Sequence, residues 1–278
     1  MNTVRQTLAE LQRGSMDRLD AQMLLLLALQ RSAHDRAWLM AHDDDALSAD
    51  AAARLNVLVE RRQRGEPMAY LRGDQEFFGL QLQVDPRVLV PRPDTETLVS
   101  WALELVGTDS NGARVLDLGT GSGAIALAIA AQRPQASVSA TDASEDALTV
   151  ARSNAQRLRL PVQFHAGSWL DAVPSQRFDV IVTNPPYIAD GDPHLAALTH
   201  EPSSALTAGA DGLYDIRTIV ASAPQALLPG GWLLIEHGFD QAAAVRALLH
   251  SAGFEQVSSR TDLAAIERCS GGQWPQQR

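Results

Sequence analysis

The four residues Asn184, Pro185, Pro186 and Tyr187 follow an apolar run, residues 180–183, that reads as a buried strand. A proline lacks the N–H that a strand ladder needs and pushes the preceding residue toward extended geometry, so one proline is enough to end a strand. The pair therefore predicts a rigid shelf at the carboxyl end of this strand. In open α/β sheets, ligands bind at that end of the strands.

The shelf carries hydrogen-bond acceptors that suit one kind of chemistry. The side-chain oxygen of Asn184 and the main-chain carbonyls of Asn184 and Pro185 can accept both hydrogens of a planar NH₂ group. Such a nitrogen is a poor nucleophile, and holding its hydrogens to one side favours pyramidalisation as it bonds to a methyl group. Tyr187 can stack on the planar group. We predict N-alkylation with Asn184, Pro185 and Tyr187 as catalytic residues, and Pro186 as a further substrate-binding residue.

A glycine-rich loop upstream predicts a ligand-binding turn. The segment RVLDLGTGSGAIALAIA, residues 114–130, reads as a strand, a loop with three glycines and a helix. Glycines allow a ligand to approach the backbone closely, and the start of a helix offers unpaired N–H groups. The spacing also satisfies the dinucleotide fingerprint, so the loop alone leaves the cofactor class open. The predicted cofactor-binding residues of the loop are Gly119, Thr120, Gly121, Ser122 and Gly123.

An acidic residue, Asp142, ends the next predicted strand. There it can accept hydrogen bonds from both ribose hydroxyls of a nucleoside-bearing ligand, and it can also cap the helix that begins near Ser144. Nicotinamide dinucleotide and S-adenosylmethionine both fit the loop and this acid. Hydride transfer has no use for the Asn184 shelf, so the shelf favours the methyl donor.

The elements that position these residues follow a regular alternation after residue 113. Short β-branched runs alternate with helical patterns, which is typical of parallel strands joined by crossover helices. We therefore predict an α/β fold, a doubly wound and mostly parallel sheet with an antiparallel edge formed by two strands within residues 254–270. The other predicted strands are residues 113–118, 137–141, 162–165, 178–183 and 232–236, and the predicted helices lie near residues 123–132, 144–158, 212–227 and 240–252.

The first 73 residues predict a small helical bundle. Three helical patterns occupy residues 3–14, 17–30 and 48–65, and Ser48 is a candidate N-cap for the third. The bundle is the first of three predicted parts, which are a helical domain over residues 1–73, a β-hairpin linker over residues 74–91 and a domain over residues 92–278 that carries the glycine loop and the shelf.

The linker and the start of the catalytic domain carry their own turn and cap features. Residues 77–90 alternate apolar and polar positions on both sides of Asp85-Pro86, which predicts a hairpin that turns there. Asp94 or Thr95 can then cap the helix that follows.

Charge argues against duplex nucleic acid as the main partner. The formal net charge is −10, and all 23 basic residues are arginine. Residues 1–73 are neutral, with 10 Arg against 10 acidic residues, so the whole acidic excess lies in residues 74–278. A nucleic-acid-binding protein usually shows a basic footprint, and we expect no direct nucleic-acid binding.

Cysteine content and hydropathy bear on whether the protein has disulfides, a metal site or a membrane span. The single cysteine, Cys269, excludes an internal disulfide and a cysteine-based zinc site, and we predict no metal. No apolar run approaches the roughly 20 residues of a membrane span, and the first residues lack the pattern of a signal peptide. We expect a cytoplasmic protein that does not bind membranes.

Several segments carry a resemblance to a known family. Asn184–Tyr187 after the fourth strand resembles the signature of S-adenosylmethionine-dependent methyltransferases acting on planar nitrogens, of adenine in nucleic acid or of glutamine in protein. One branch, the HemK-type release factor glutamine methyltransferases, is similar over nearly the full chain and in the same order. The similar segments are DAQMLLLLAL (20–29), RGEPMAYLRGDQEFFG (64–79), VLVPRPDTETLV (88–99), DLGTGSGAIALAIA (117–130), NPPYI (184–188), EPSSALTAGADGL (201–213) and LPGGWLLIEHGFDQ (228–241).

The resemblance implies a class I methyltransferase fold that uses S-adenosylmethionine. The implied substrate is the glutamine in the Gly-Gly-Gln loop of peptide chain release factors, methylated at N5. The helical domain over residues 1–73 would be the substrate-recognition domain that binds the release factor, and residues 92–278 would form the methyltransferase domain. Ser168 stands where the family often has an acid suited to the adenine amine. Carried onto this chain, the family's cofactor contacts are Gly119–Gly123, Asp142, Trp169 and Asn184, its substrate shelf is Asn184–Tyr187, and the residues expected over the methionine end are Arg92, Pro93 and Thr95.

Two alternatives stay open. The same nitrogen chemistry fits a methyltransferase that acts on the exocyclic amine of adenine in RNA or DNA, which would need a basic groove. A non-catalytic protein that binds the termination machinery through its helical half would not need to keep affinity for the cofactor. The chain also carries its own Gly271-Gly272-Gln273, in a tail that we expect to be disordered.

Overall fold

The computed structural model describes residues 2–107 and 112–276. The chain separates into two compact units, Met1–Gly73 and Asp74–Arg278. Across the described residues, every helix falls short of the length and apolar character that a membrane span requires.

The described part of the first unit contains five helices, of which the first, third and fourth contact the second and the fifth contacts the fourth. Leu24, Leu25 and Leu26 of the second helix are fully buried and belong to one apolar core. The three predicted helices are confirmed, whereas two short ones were missed because five or six residues are too few to show a helical repeat. The helices are α1 (Val4–Arg13), α2 (Arg18–Ala28), α3 (Arg36–Ala41), α4 (Ala49–Gln63) and α5 (Met68–Arg72).

Capping side chains determine where these helices begin. The Ser48 hydroxyl accepts the N–H of Ala51 at 3.2 Å, which confirms the predicted N-cap of α4. Thr3 and Gln6 form a reciprocal capping box at the start of α1.

The second unit opens with a β-hairpin whose turn differs from the prediction. Strands β1 (Asp74–Phe77) and β2 (Leu80–Gln83) pair around Phe78-Gly79, and not around Asp85-Pro86. Phe78 and Gly79 both have positive φ, 49° and 77°, which is the geometry of a two-residue hairpin turn. The hairpin is held to the unit by Asn154, whose side chain accepts the N–H of Gln83 and donates to the carbonyl of Gln83.

Seven strands form one sheet within residues 112–276, in the order β5-β4-β3-β6-β7-β9-β8. Neighbours from β5 to β7 are parallel, while β9 is antiparallel to both β7 and β8. The predicted doubly wound sheet with an antiparallel edge is therefore confirmed. The strands are β3 (Arg114–Leu118), β4 (Ser137–Asp142), β5 (Val162–Ala166), β6 (Phe178–Thr183), β7 (Leu227–Glu236), β8 (Glu255–Thr261) and β9 (Glu267–Gln273).

An apolar core covers each face of this sheet. Val180 and Val182 of β6 belong to one core and Ile181 to the other, because successive strand residues point to opposite faces. The first core includes side chains of α6 (Glu96–Val106), α7 (Ala124–Gln132) and α8 (Glu145–Leu158), and the second includes those of α9 (Tyr214–Ala226) and α10 (Ala242–Ser251).

The strand order also locates the ligand crevice. Chain order runs outward from β3 through β4 to β5, then returns to place β6 on the other side of β3. A crevice opens at the carboxyl ends of the strands where the order reverses. The glycine loop follows β3, Asp142 is the last residue of β4 and the Asn184 shelf follows β6, so all three lie at this crevice.

The expected disorder of the C-terminal Gly-Gly-Gln is wrong. Gly271, Gly272 and Gln273 lie in β9, between β7 and β8. A Cβ on Gly271 would be 2.5 Å from the side chain of Leu234, so glycine allows close packing of the strand there. The side-chain amide of Gln273 donates to the carbonyl of Gly230 at 2.9 Å, which fixes it within the sheet.

Candidate active site

The glycine loop, residues 119–123, joins β3 to α7 and is fixed to β4. The N–H groups of Gly119 and Thr120 both donate to the carbonyl oxygen of Thr141 at 2.9 Å. Gly119 and Gly121 have φ values of 71° and 55°, which glycine adopts without strain. A Cβ on Gly121 would meet none of the described heavy atoms within 4 Å, so a ligand can approach the backbone there.

Asp117 lies in β3 beneath the loop and was not among the predicted site residues. Its Oδ2 accepts the Thr120 hydroxyl at 2.6 Å and the N–H of Ala126 at 3.2 Å. Burial raises the pKa of Asp117 to about 7, and these two hydrogen bonds oppose the increase. An acid in an apolar strand directly before a glycine loop is the sequence feature that identifies it.

Asp142 stands at the end of β4 beside the loop. Its two oxygens accept the N–H groups of Gly121 and Ser144, each at 2.9 Å. Ser144 itself caps α8 by accepting the N–H of Ala147, so the cap does not need Asp142. Burial raises the pKa of Asp142, and each of its oxygens keeps a lone pair for a ligand.

Trp169 and Asp215 form one wall of the crevice. A Cβ on Gly119 would be 3.0 Å from the Trp169 ring, so the ring lies against the glycine loop. Burial raises the pKa of Asp215, and a hydrogen bond from the Trp169 side chain opposes the increase. Ser168 belongs to the same wall. Asp215 was not predicted because it lies far along the chain from the glycine loop.

These residues enclose a cavity of about 310 Å³. A smaller adjoining cavity is lined by Thr120 and Ser122. Gly123 lines neither cavity and packs toward Leu127 of α7. A carboxylate beside an open glycine backbone suits a nucleoside-bearing ligand. The predicted site residues that line the larger cavity are Gly119, Gly121, Asp142, Trp169, Asn184 and Pro186.

Asn184 lies where these two cavities meet a third, which contains about 70 Å³. Its Nδ2 donates to the Thr95 hydroxyl at 3.2 Å. In this orientation the carboxamide oxygen, an acceptor, is left for a ligand in the cavities. The sequence predicts that Asp94 or Thr95 caps the helix that follows. Thr95 does occupy the N-cap position, but within the described chain α6 has no side-chain capping hydrogen bond.

The remaining shelf residues are fixed by their neighbours. Pro185 and Pro186 are buried. The main-chain oxygen of Tyr187 accepts Nε2 of Gln241 at 3.0 Å, and Tyr187 lines the third cavity. Burial raises the pKa of the Tyr187 phenol above its already high ordinary value, so this side chain is neutral.

The segment over residues 88–92 contributes Val88, Leu89, Pro91 and Arg92 to the lining of these cavities, and Leu89 lines all three. Glu201 holds this segment: its side chain, only 2% exposed, accepts the N–H of Val90 at 3.0 Å and forms an ion pair with Arg92. Arg92 lines two of the cavities, while Pro93 lines none of the three and begins a short 3₁₀ turn.

Two buried acids of the site, Glu201 and Glu236, were not predicted. Glu236 ends the apolar strand β7, and an acid at the carboxyl end of such a strand is the feature that could have identified it. Within the described ranges, no group of three or more His, Cys, Asp or Glu side chains is arranged to hold a metal ion.

Two family models match the chain. The model of the methyltransferase small domain matches residues 98–237, and that of the PrmC N-terminal domain matches residues 2–73. Together they account for the glycine loop, the shelf and the helical unit.

Close relatives span nearly the whole chain. A release factor glutamine methyltransferase of Bordetella pertussis is 53% identical over 260 residues, which cover 92% of this chain and 95% of that protein. Another from Burkholderia pseudomallei is 51% identical over 288 residues and covers 99% of this chain and 100% of that protein.

Solved structures agree on the fold. A methyltransferase from Pyrococcus furiosus superimposes with a TM-score of 0.55 at 19% identity, over 82% of this chain and 100% of that chain. On the strength of the long, close relatives, this chain belongs to the family of release factor glutamine methyltransferases.

Proposed function

We propose that the protein transfers the methyl group of S-adenosylmethionine to N5 of the glutamine in the Gly-Gly-Gln loop of peptide chain release factors, in the cytoplasm. The observation that carries this proposal is the orientation of Asn184. Its Nδ2 donates to Thr95, which leaves its oxygen free for a ligand. Asn184 lines both the cavity of about 310 Å³, which we call the cofactor-side cavity, and the cavity of about 70 Å³, which we call the substrate-side cavity. Membership of the family supports the choice of substrate.

The larger cavity, of about 310 Å³, lies in the size range of small-ligand pockets, and its polar groups suit the cofactor. Asp142 would accept hydrogen bonds from the ribose hydroxyls, and Trp169 would pack beside the adenine. Thr120 and Ser122, in the smaller cavity next to Asn184, would contact the methionine part. When bound, S-adenosylmethionine supplies a methyl group made electrophilic by the positive sulfonium.

Asn184 prepares the substrate nitrogen for attack. Its side-chain oxygen and a main-chain carbonyl of Asn184 or Pro185 would accept both hydrogens of the amide. That grip strengthens as the nitrogen pyramidalises, so it stabilises the transition state more than the ground state. The nitrogen becomes acidic once it is alkylated and can then lose a proton to water, so no strong base is needed beforehand.

The substrate-side cavity favours glutamine over a nucleic-acid base. It contains only about 70 Å³, and Leu89, Leu198 and Leu206 give it an apolar lining. Such a space suits two methylene groups and an amide better than a purine attached to its sugar and phosphate. The acidic excess of residues 74–278 also disfavours a polyanion.

A division of labour is part of the same proposal. Residues 1–73 would recognise the release factor, the hairpin within residues 74–91 would link the two parts, and residues 92–278 would carry out the transfer.

Transfer of labelled methyl groups tests the proposal. The purified protein is incubated with labelled S-adenosylmethionine and a release factor, and the Gly-Gly-Gln peptide is isolated for mass spectrometry. We expect one methyl group on the glutamine, and none on a release factor whose loop glutamine is replaced by alanine. Label on adenine-containing RNA or DNA, with none on the release factor, would support the adenine methyltransferase instead.

A further inference from the structure

Glu236 is a buried acid beside the shelf, and the transfer reaction as described does not use it. Thr183 of β6 pairs with Ile235 of β7, so the next residues along the two parallel strands are Asn184 and Glu236. Glu236 is only 2% exposed, and its Oε2 makes no hydrogen bond to the described residues. A buried carboxylate is costly without compensation, which makes its presence here informative.

Thr95 connects Glu236 to Asn184. Thr95 is 4% exposed, and its hydroxyl accepts the Nδ2 hydrogen of Asn184 at 3.2 Å. A hydroxyl that accepts in this way still has its own hydrogen to donate. Glu236 occupies the position beside Asn184 at the carboxyl end of the neighbouring parallel strand, so its buried carboxylate is placed to receive that hydrogen. In agreement with this placement, burial raises the pKa of Glu236, and Thr95 and Asn184 act to lower it.

We infer that Glu236, acting through Thr95, positions the carboxamide of Asn184 so that its oxygen faces the substrate nitrogen. The ionised carboxylate accepts from the Thr95 hydroxyl, and that hydroxyl accepts from Asn184. This inference rests on the proposed function and adds two positioning residues to it, while Asn184 alone of the three touches the substrate.

The direction of the hydrogen bonds from Asn184 through Thr95 to Glu236 matters because a carboxamide is nearly symmetric in shape. Rotation by 180° would exchange the oxygen and the nitrogen of Asn184 and present a donor to a substrate group that is itself a donor. An ionised carboxylate can only accept, so it fixes the NH₂ of Asn184 inward. A protonated carboxyl can also donate and no longer imposes one direction.

The charge of Glu236 therefore sets a pH dependence. Burial raises the pKa of Glu236 to about 7. The negative charge of Asp94 adds to this increase, and the positive charge of Arg268 opposes it. Tyr187 of the shelf and Cys269 of β9 also face this acid. The fixed orientation is complete well above pH 7, is half lost near pH 7 and is absent well below it.

Variants of matched shape separate positioning from packing. Thr95→Val keeps the shape and removes the hydroxyl, and we expect kcat on the release factor to fall about 10- to 100-fold, as for a lost hydrogen bond in a charged network. The dissociation constant of S-adenosylmethionine should change by less than about threefold, since the loss is confined to the transition state. Thr95→Ser restores the hydroxyl and should restore most of kcat.

Glu236→Gln should lower kcat to a similar extent and abolish the decline of kcat below pH 7. The Thr95→Val, Glu236→Gln double variant should be no slower than the slower single variant, because both changes break one chain. A residue with only a packing role would alter Tm and give additive losses. Additive losses, or wild-type kcat in correctly folded Thr95→Val, would overturn the inference.

A second readout does not depend on activity. In ¹⁵N-labelled protein, the side-chain NH₂ signals of Asn184, assigned by their loss in Asn184→Ala, should shift with a midpoint near pH 7. The shift should disappear in Glu236→Gln. Asn184 signals that do not change with pH would overturn the inference, even if the release factor is methylated. If the Asn184 signals shift near pH 7 as expected but the wild-type protein does not methylate the release factor, only the proposed function is refuted.

Discussion

The main-chain oxygen of Tyr187 lies against Gly212, at a distance that leaves no room for a side chain. A Cβ built on Gly212 would be 2.2 Å from this oxygen and 2.9 Å from Nε2 of Gln241, which donates to the same oxygen at 3.0 Å. The last residue of the shelf is therefore held in place by a contact that only glycine permits.

Gly212→Ala should displace the shelf and lower kcat on the release factor about tenfold or more, since small misplacements of a substrate-positioning group are costly. The control is Gly191→Ala. Gly191 also has a positive φ, 80°, but a Cβ there would meet none of the described atoms within 4 Å. It should lose only about 1 kcal/mol of stability through backbone strain, with near-normal kcat. Equal kcat for the two variants would contradict the role of Gly212.

Asn184→Ala should separate catalysis from cofactor binding. Removal of the acceptor from the substrate nitrogen should lower kcat about 100-fold or more, a loss comparable to that of an oxyanion-hole donor. The dissociation constant of S-adenosylmethionine, measured by calorimetry, should change only a few-fold, because Asp142 and the glycine loop remain. Equal losses in turnover and affinity would argue against the two-hydrogen grip.

Local patterns predicted the fold because they repeat within each element. The alternation of β6 and the glycines after β3 are short-range features, so the parallel strands, their crossover helices and the crevice could be predicted from sequence. The position of the hairpin turn could not be predicted, because Asp85-Pro86 is the stronger local turn pattern. Phe78 has a positive φ, which is not expected of a phenylalanine.

The contacts that hold the site together lie outside such patterns. Thr95 has the residue type of a helix cap, but its hydroxyl bonds to Asn184, which follows β6 and is distant in sequence. Glu201 likewise holds Val90 and Arg92 across most of the catalytic unit. Gly271 and Gly272 resemble a flexible tail, and only the packing of β9 between its neighbours makes them a strand. Long-range packing decides each of these cases.

Asp142→Asn should weaken cofactor binding without abolishing turnover. The carboxylate has lone pairs left for ribose hydroxyls, and loss of its charge should raise the dissociation constant of S-adenosylmethionine about 10- to 100-fold. At saturating cofactor, kcat should stay within a few-fold. Asp146→Asn, an equal charge change at an exposed position in the first turn of α8, should leave calorimetric affinity unchanged. Similar losses in both variants would point to long-range electrostatics instead.

Asp117 should make stability depend on pH with a defined sign. Its pKa is raised from 3.8 to about 7 in the folded protein, so its contribution to stability is complete below about pH 4 and is lost as the pH rises through 7. Asp117→Asn removes this dependence. The free energy of unfolding of the variant minus that of the wild type should therefore increase from pH 5 to pH 8, by an amount on the order of a few kcal/mol.

Urea unfolding of the two proteins at both pH values measures the change. Asn can keep one oxygen for Thr120 and Ala126 and place its NH₂ where Oδ1 makes no hydrogen bond to the described residues. The difference between variant and wild type isolates Asp117 from Glu236, which titrates in the same range. A difference that does not change with pH would mean that Asp117 is ionised throughout.

Substitutions in an open groove on the helical unit can test whether that unit recognises the release factor. Leu19 and Met40 are 44% and 80% exposed, and they line one groove together with Arg18 and Arg36. Apolar side chains flanked by arginines suit a protein partner, because such residues are enriched at interface centres.

The double variant Leu19→Ser, Met40→Ser should raise KM for the intact release factor about tenfold, a loss typical of an interface anchor, and leave kcat unchanged. A short Gly-Gly-Gln peptide lacks the rest of the release factor surface that the groove would bind, so its kcat/KM should not change. Val57→Ser is the matched control, since Val57 is 56% exposed on α4 but does not line this groove. If the peptide and the intact factor lose equally, the substitutions act on the catalytic unit, and recognition by the helical unit is refuted.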